Sequence, residues 1–343
     1  DHTQEDPVNN SAEIDAAVEL TKAYPDIVKV IAVGNEAMVH WAGSYYVGPE
    51  VILKWVNYLQ DLKKEGQLPR DLWITSSDNF ASWGGGDDSY HREELRELME
   101  AVDYISMHTY PFHDSHYNPD YWLGPAEEEG LSDLEKIHAA MLRARDYAIS
   151  QYLAVEAYMK EVGVDKPLHI GETGWASTCG FSYGPSGSRA ADEYKQKLFH
   201  DLMREWSASQ GVACFYFEAF DESWKDRNNL LGSENHFGLI DLEGRAKYVL
   251  WEQVDQGIFE GLTRGGKAIT KSYDGDLTRL MDEVLVPPSV LDPSSTRTSK
   301  INEEREAGKT VTEGTYVVVH EDPDLGEKQD HCYPSMRLNL NTW

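Results

Sequence analysis

Short apolar runs bounded by turn residues alternate with longer amphipathic stretches over most of the chain. The runs are rich in valine, isoleucine and aromatic residues, a composition that is typical of strands. They predict five strands, at residues 28–33, 72–77, 104–109, 168–171 and 213–220. A helical pattern lies next to each strand, and this alternation indicates an α/β fold with a parallel sheet.

The amphipathic stretches have the 3.6-residue period of helices. Helices are predicted at residues 11–24, 50–64, 92–101, 133–162, 189–209 and 248–259. Ser11 is the predicted N-cap of the first helix, because a serine side chain can accept a hydrogen bond from the first exposed backbone N–H groups. This alternation is typical of a β/α barrel, in which the carboxyl ends of the strands carry the active site.

Five strands do not close an eight-stranded barrel, so either three strands are missing from the amino end or the sheet is open. From Pro287 the sequence becomes rich in Pro, Ser and Thr, and "TYVVVH" is its one strand-like run. These roughly 55 residues cannot supply three strands with their helices, because each βαβ unit needs about 30 residues. We therefore predict a barrel domain over residues 1–286, and a linker with a small β appendage or tail over 287–343.

The composition limits the classes of ligand. The chain has 60 acidic and 31 basic residues, a formal net charge of −29, and its surface should repel polyanions such as nucleic acid. A neutral ligand fits better, and 10 tryptophans and 19 tyrosines offer flat faces for sugar rings, although aromatic residues also fill cores. No run of about 18 apolar residues occurs, so no membrane span is predicted.

The cysteines and histidines do not have the spacing of a metal site. The cysteines are Cys179, Cys214 and Cys332. They are too scattered for a zinc site and allow at most one disulfide. The segment "MHTYPFHDSHY" holds His108, His113 and His116, but the last two lie in a loop and no HExxH pattern occurs. We predict no cofactor and no metal.

Two glutamates occupy matching positions at the ends of predicted strands. "VKVIAVGNE" ends in Gly34, Asn35 and Glu36, and "LHIGETGW" contains Gly171 followed by Glu172. In each case the glycine lets the chain turn tightly as the strand stops, and the carboxyl group is held on a rigid element. A strand-terminal glutamate can be a salt-bridge partner, but two that converge on one cleft can hydrolyse a glycosidic bond.

Residues beside these glutamates suit sugar binding. Asn35 could bind a sugar hydroxyl close to the reacting carbon, a contact that strengthens in the transition state. Trp175 is predicted to be a sugar platform that also lowers the local dielectric. Tyr110 and Phe112, in "HTYPF", and Asn79, in "SDNFASWGGGDD", are further candidates for lining the cleft. The glycines after Asn79 allow the alternative of a flexible loop, and they lack the spacing of a phosphate-binding loop.

A third cluster of charged residues follows the fifth predicted strand, in "YFEAFDESWKD". It comprises Glu218, Asp221, Glu222 and Lys225. Lys225 lies three residues after Glu222, so the two can pair if the turn is helical. Glu222 could accept hydrogen bonds from sugar hydroxyls while Lys225 holds it ionised. The alternative is a solvated acidic loop.

In this order, "VGNE", "HTYPF", "GETGW" and "FEAFDESWK" resemble family 17 of the glycoside hydrolases, the β-1,3-glucanase family of bacteria, fungi and plants. The resemblance implies a (β/α)8 barrel that retains anomeric configuration, with the acid/base after strand four and the nucleophile after strand seven. It places these roles on Glu36 and Glu172, and substrate contacts on Tyr110, Glu222 and Lys225. Ala176 stands where many members have proline. If Glu36 ends strand four, we expect the chain to lack the first three strands.

The function that we expect is a retaining endo-β-1,3-glucan hydrolase, with laminarin-type glucan as substrate. The enzyme should be secreted or periplasmic, because such polymers are met outside the cytoplasm, and it is expected to be a monomer. A transglycosylase of the same family, a non-catalytic glucan-binding protein and a metal-dependent hydrolase are the alternatives. Retaining chemistry requires the carboxyl groups of Glu36 and Glu172 to lie about 5 Å apart.

Overall fold

A computed structural model describes residues 6–41, 43 and 45–292. The predicted strand "TYVVVH" and most of the predicted C-terminal appendage lie outside the described residues. The chain forms two compact units. The first holds the chain up to Thr109 together with Ala148–Thr173 and Ser207–Phe215, and the second holds Tyr110–Tyr147, Gly174–Trp206 and the chain from Tyr216.

All five predicted strands are present. They are β1 (Val30–Asn35), β2 (Trp73–Asn79), β3 (Ile105–His108), β4 (Leu168–Gly174) and β5 (Cys214–Phe217). They form one sheet in the order β1-β2-β3-β4-β5, and the pairs from β1 to β4 are parallel. Because consecutive strands are neighbours and parallel, each connection crosses over through a helix. The predicted α/β fold with a parallel sheet is confirmed.

The described residues also form eight α-helices and four short strands, besides short 3-10 and π-type segments. The helices are α1 (Pro7–Ala23), α2 (Pro49–Lys64), α3 (Glu93–Ala101), α4 (Pro111–Tyr117), α5 (Asp133–Glu161), α6 (Glu193–Gln210), α7 (Trp251–Asp255) and α8 (Leu277–Met281). The short strands are β6 (Arg245–Ala246), β7 (Thr263–Arg264), β8 (Lys267–Ala268) and β9 (Thr270–Lys271). Strand β6 pairs with β9, and β7 pairs with β8. Among the described residues, no helix is both long and apolar enough to cross a membrane.

Three helix predictions were wrong in their bounds, and of these α6 begins at Glu193 instead of the predicted residue 189. Helix α1 begins earlier than predicted, and its N-cap is Asp6, whose side chain accepts a hydrogen bond from the backbone N–H of Asn9 at 3.1 Å. Pro7 follows Asp6 and fixes a helical φ without needing a partner for an N–H group, so Ser11 lies inside the helix. Helix α7 ends at Asp255, and Gly257, at φ 72°, holds the chain in a left-handed conformation.

In the first unit, one face of the sheet is apolar and the other is polar. Helix α2 packs against β1 and β2, and α3 packs against α2, while the strands contribute Ile74, Ile105 and Ile170, all fully buried. Each such side chain stabilises the fold by about 1.5 to 3 kcal/mol. Because strand side chains alternate, the other face carries Ser77 and Ser106, whose hydroxyls lie 2.9 Å apart. This polar face leads to the ends of the strands.

The second unit has an aromatic core of its own. Its largest buried side chains are Phe112, Trp122, Trp175, Tyr183, Phe199 and Phe237. A buried ion pair also lies in this unit, between Lys247 Nζ and Asp221 Oδ1 at 2.7 Å. Asp221, which the sequence placed in a charged cluster, is therefore a structural residue.

Cys179 is disulfide-bonded and Cys214 is a free thiol.

Candidate active site

Glu36 follows β1 in an unusual backbone conformation. Its φ is 49°, in the left-handed region, and its N–H donates to Ser77 O at 2.9 Å. The register of β1 with β2 shifts between Ala32 and Asn35, so a bulge turns the end of the strand. A side chain at Gly34 would lie 2.9 Å from both Ile52 and Ser76, too close for residues other than glycine. This local backbone conformation sets the direction of the Glu36 carboxyl group, and it costs about 1 to 3 kcal/mol of backbone strain.

Glu172 lies within β4 and is anchored to β3. Its carbonyl accepts the N–H of Thr109 at 3.1 Å, and Thr173 Oγ1 donates to Thr109 O at 2.6 Å. Before it, Gly171 passes so close to the polar face that an added Cβ would overlap Ser106 Oγ and lie 2.7 Å from Ser77 Oγ. Close packing against these two serines therefore requires the glycine of "GET" at position 171.

The two carboxylates converge on one histidine. His108, at the end of β3, is fully buried, and its Nδ1 lies 2.9 Å from Glu36 Oε1. Its Nε2 lies 2.6 Å from Ser77 Oγ and 4.0 Å from Glu172 Oε2. One donor atom each from Glu36, His108 and Glu172 lies within 4.8 Å of the other two. An oxygen of each glutamate therefore lies within 4.8 Å of the other, and the side chains are 16% and 25% exposed.

The charges around His108 favour its protonated form. Burial alone lowers the pKa of the ring, but the charge of Glu172, the hydrogen bond with Glu36 and the charges of Glu36 and Asp78 raise it to about 9. Burial raises the pKa of Asp78 to about 6, although the hydrogen bond from Met38 N and the charge of His108 oppose this. At neutral pH the site holds an imidazolium among carboxyl groups.

Sequence reasoning noted His108 only as part of a histidine-rich segment. The signal that could have found it is its position at the end of the third predicted strand, which a parallel sheet places beside the ends of its neighbours. The prediction that His113 and His116 lie in a loop was wrong, because both belong to helix α4. His113 is separate from the site, since its Nδ1 lies 3.0 Å from Tyr183 OH and its Nε2 lies 3.7 Å from Glu234.

The set of Glu36, His108 and Glu172 has donor atoms that suit a divalent cation. Both ring nitrogens of His108 already lie within hydrogen-bond distance of a partner, Glu36 on one side and Ser77 on the other. A cation bound to the ring would have to displace one of these bonds. The prediction that the protein needs no metal stays a prediction.

The predicted neighbours of Glu36 differ in what they offer a ligand. Asn35, the last residue of β1, is exposed. Asn79 ends β2, and its Oδ1 accepts the backbone N–H of Ala81 at 3.0 Å, where the chain turns into the π-type segment Ala81–Gly85. The side-chain oxygen of Asn79 therefore has a structural partner, and Asn35 is the better placed amide.

In the second unit, Lys225 joins the predicted charged cluster. Its Nζ lies 3.2 Å from Glu218 Oε2 and 3.4 Å from Glu222 Oε2, which confirms the predicted pairing of Lys225 with Glu222. The same ammonium lies 3.7 Å from the centre of the Phe217 ring. Burial raises the pKa of Glu218 to about 8, against the opposing charge of Lys225. The cluster is a compact set of hydrogen-bonding groups.

Trp175, predicted to be a sugar platform, and Phe112, predicted to line the cleft, are both buried. Trp175 is fully buried, its Nε1 donates to Ala190 O at 2.8 Å, and its ring centre lies 5.0 Å from that of Phe199. Phe112 is also fully buried, with its ring centre 4.3 Å from that of Tyr183. The chain folds these rings into the aromatic core of the second unit, so neither can present a face to a ligand.

Two other aromatic residues remain accessible. Tyr110 is partly exposed, and its ring meets those of Phe217 and Phe237 edge-on, with centres 6.5 and 5.8 Å apart. Trp224 is 46% exposed, and Lys225 Nζ lies 5.9 Å from its ring centre. Sequence reasoning missed Trp224, although it lies in the same "DESWK" segment as the charged cluster.

Comparison with known proteins gives consistent matches. The chain is similar to a glucan 1,3-beta-glucosidase of Arthroderma benhamiae, 26% identical over 246 residues that cover 69% of this chain and 66% of that protein. It is 24% identical over 228 residues to a glucan 1,3-beta-glucosidase of Schizosaccharomyces pombe, with 66% and 58% covered. The chain thus spans less than two thirds of the length of either relative.

A solved structure, an endo-laminarinase from Formosa Hel1_33_131, is 60% identical and superposes with a TM-score of 0.81, covering 82% of this chain and 72% of that one. The family model described as the BtgE/BtgC glycoside hydrolase domain matches residues 2–238. These matches confirm the predicted relationship to family 17 of the glycoside hydrolases. With more than half of its length matched, the chain belongs to the BtgE/BtgC glycoside hydrolase domain family.

Proposed function

We propose that the protein is a retaining endo-β-1,3-glucan hydrolase that acts on laminarin-type glucan. Its family is one of glycoside hydrolases, and it is similar to an endo-laminarinase at 60% identity. The observation that carries the proposal is the approach of Glu36 and Glu172, whose carboxylate oxygens come within 4.8 Å. Retaining enzymes place the two carboxyl groups about 5 to 5.5 Å apart, whereas inverting enzymes leave about 6.5 to 9.5 Å for a water molecule.

The reaction follows from this spacing. Glu36 gives its proton to the glycosidic oxygen as the bond to the anomeric carbon breaks, and Glu172 attacks that carbon to form a glycosyl ester. Glu36, now ionised, takes a proton from a water molecule, which attacks the anomeric carbon and releases Glu172. The exposed amide of Asn35 lies next to the acid/base, where it can bind a sugar hydroxyl close to the reacting carbon.

Substrate contacts are proposed for Tyr110, Glu222 and Lys225, as the family resemblance implies. Trp224 takes the place of the buried Trp175 as a sugar platform. Its exposed indole can stack on the apolar face of a glucose ring, and the ion pairs of Lys225 with Glu218 and Glu222 hold that segment. We also propose that the enzyme acts outside the cytoplasm, secreted or periplasmic, because its polymeric substrate does not cross membranes. Its monomeric state stays a prediction.

The sheet fits strands four to eight of a (β/α)8 barrel. Consecutive strands are neighbours, the pairs from β1 to β4 are parallel, and Glu36 and Glu172 lie at strand ends, as barrel active sites do. Val30 and Trp73 are paired in register and are 45% and 43% exposed, which is unusual for apolar strand residues. In a closed barrel, such inward side chains fill the interior.

The test is digestion of laminarin beside mixed-linkage glucan, cellulose and xylan, with products sized over time and the anomer first released identified by NMR. A ladder of β-1,3-linked oligosaccharides with the β-anomer first is the expected result. Release of the α-anomer would contradict the retaining mechanism, and preference for xylan or cellulose would contradict the substrate. Products longer than the starting oligosaccharide at high acceptor concentration would indicate a transglycosylase, and binding without turnover a glucan-binding protein.

A further inference from the structure

His108 has a ring nitrogen facing each of the two carboxylates. Nδ1 lies 2.9 Å from Glu36 Oε1, and Nε2 lies 4.0 Å from Glu172 Oε2. Ser77 Oγ, 2.6 Å from Nε2, fixes the ring, and Ser77 is itself held by Ser106 Oγ at 2.9 Å. The ring is wholly buried, so water cannot take over its contacts. The geometry gives His108 access to both partners without any movement.

We propose that His108 is a positioning residue that stays an imidazolium throughout turnover and neutralises the one negative charge that passes between Glu172 and Glu36. The inference rests on the proposed retaining mechanism. It assigns to this chain a fixed cation between its two carboxylates, in addition to the acid/base and the nucleophile.

The charge count shows that one negative charge passes between the two glutamates; the charge of Asp78, whose pKa is about 6, is separate and stays in place. Before the first step Glu36 holds its acid proton and Glu172 is ionised. As the O–H bond of Glu36 breaks, its proton goes to the leaving oxygen, and an electron pair of Glu172 forms the new bond to the anomeric carbon. The ester carries no charge and Glu36 is ionised. In the second step water supplies a proton to Glu36 and its oxygen to the anomeric carbon, and Glu172 regains its charge.

The surroundings of the ring keep it protonated. The ionisable groups that face it are Glu36 after β1, Asp78 on β2 and Glu172 on β4. With all three carboxyl groups ionised, their charges and the Glu36 hydrogen bond outweigh the effect of burial and raise the pKa of His108 to about 9. In each state of the proposed cycle, one glutamate and Asp78 supply the negative charge that faces the ring. The ring nitrogens of an imidazolium both donate, which matches the acceptors Glu36 Oε1 and Ser77 Oγ. In a neutral ring that donates to Glu36, Ser77 Oγ would instead have to donate to Nε2.

The test separates charge from packing. His108→Gln keeps a polar side chain and removes the charge, and His138→Gln, at an exposed position on α5, is the matched control. With laminarin oligosaccharides, His108→Gln should lower kcat/KM by about 100-fold. With a 2,4-dinitrophenyl β-laminaribioside, whose leaving group needs no proton from Glu36, the loss should stay below about tenfold. His138→Gln should match the wild type on both substrates.

An equal loss on both substrates would show that His108 is only structural, and an unchanged kcat/KM on laminarin oligosaccharides would also overturn the proposal. If the wild type itself does not hydrolyse laminarin, the proposed function fails instead. Should His108→Gln not fold, nitrogen-15 NMR of the wild type decides. Both ring nitrogens should be protonated at pH 7 in the free enzyme and in the glycosyl enzyme trapped with a 2-deoxy-2-fluoro substrate. A neutral ring in either state would overturn the proposal.

Discussion

Replacing Gly171 with alanine tests whether the polar face of the sheet sets the position of Glu172, the proposed nucleophile. The new Cβ would overlap Ser106 Oγ and lie 2.7 Å from Ser77 Oγ, whereas ordinary contact begins at 3.4 Å. The strand or the serines must therefore yield by about 0.7 Å or more. Overpacking of this kind costs about 1 to 3 kcal/mol of the free energy of unfolding.

The same displacement falls on the residue before Glu172. Because a misplacement of about 1 Å in an active site can cost about 100-fold in rate, we expect kcat on laminarin to fall by about 10- to 100-fold. Thermal unfolding and initial rates on laminarin are the two measurements. Gly130→Ala is the matched control, since its Cβ would meet nothing within 4 Å, and it should change stability by less than about 0.5 kcal/mol.

The double variant Gly171→Ala/Ser106→Ala sharpens the result. Removing the Ser106 hydroxyl relieves the worst overlap, so the two changes should be less harmful together than the sum of their separate effects. Wild-type rate and wild-type melting temperature in Gly171→Ala would refute the reasoning. If Gly171→Ala lost much stability but its effect simply added to that of Ser106→Ala in the double variant, the overlap with Ser106 would not be the cause.

Three further predictions follow from the site. Glu172→Gln should lower turnover by about 1000-fold or more while circular dichroism and oligosaccharide binding stay unchanged; normal turnover would remove Glu172 as nucleophile. Burial raises the pKa of Asp78 from 3.8 to about 6, so between these pH values the folded state binds a proton that the unfolded state does not. The stability that this group contributes is therefore present below about pH 4 and lost as pH rises through 6. Urea unfolding should show a difference of about 2 to 3 kcal/mol across this range that is absent in Asp78→Asn, and parallel curves for the two proteins would contradict it. Trp224→Ala should raise KM by about 3- to 10-fold at unchanged stability, whereas Trp175→Ala should lower the free energy of unfolding by about 3 to 5 kcal/mol. If instead Trp175→Ala raised KM at unchanged stability and Trp224→Ala lowered stability, Trp175 would be the sugar platform.

The sequence predicted the sheet and the approach of Glu36 to Glu172 because both depend on local patterns. Runs of β-branched residues bounded by turn residues mark strands wherever they lie in the chain. A glycine shortly before a glutamate at a strand end indicates two physical requirements: the backbone must approach its neighbours closely, and the carboxyl group must be held in a rigid position. Gly171 with Glu172, and Gly34 with Glu36, meet both requirements in the structure.

The errors concern side-chain direction after a strand ends. Trp175 directly follows β4 and Phe112 follows β3 by four residues, and the sequence does not reveal whether the chain there turns toward solvent or toward the core. His108 was overlooked for a related reason, since its importance arises from contacts with residues 72 positions before it and 64 after it. Such contacts depend on strand order and register, which local patterns do not determine.

The left-handed backbone of Glu36 has an implication for how such a protein could change. Glycine or asparagine adopts that conformation at less cost than glutamate, so a mutation that destroys the acid/base would also relieve strain. Loss of the proposed acid/base would therefore come with a gain in stability. Persistence of the glutamate therefore requires selection for cleavage itself.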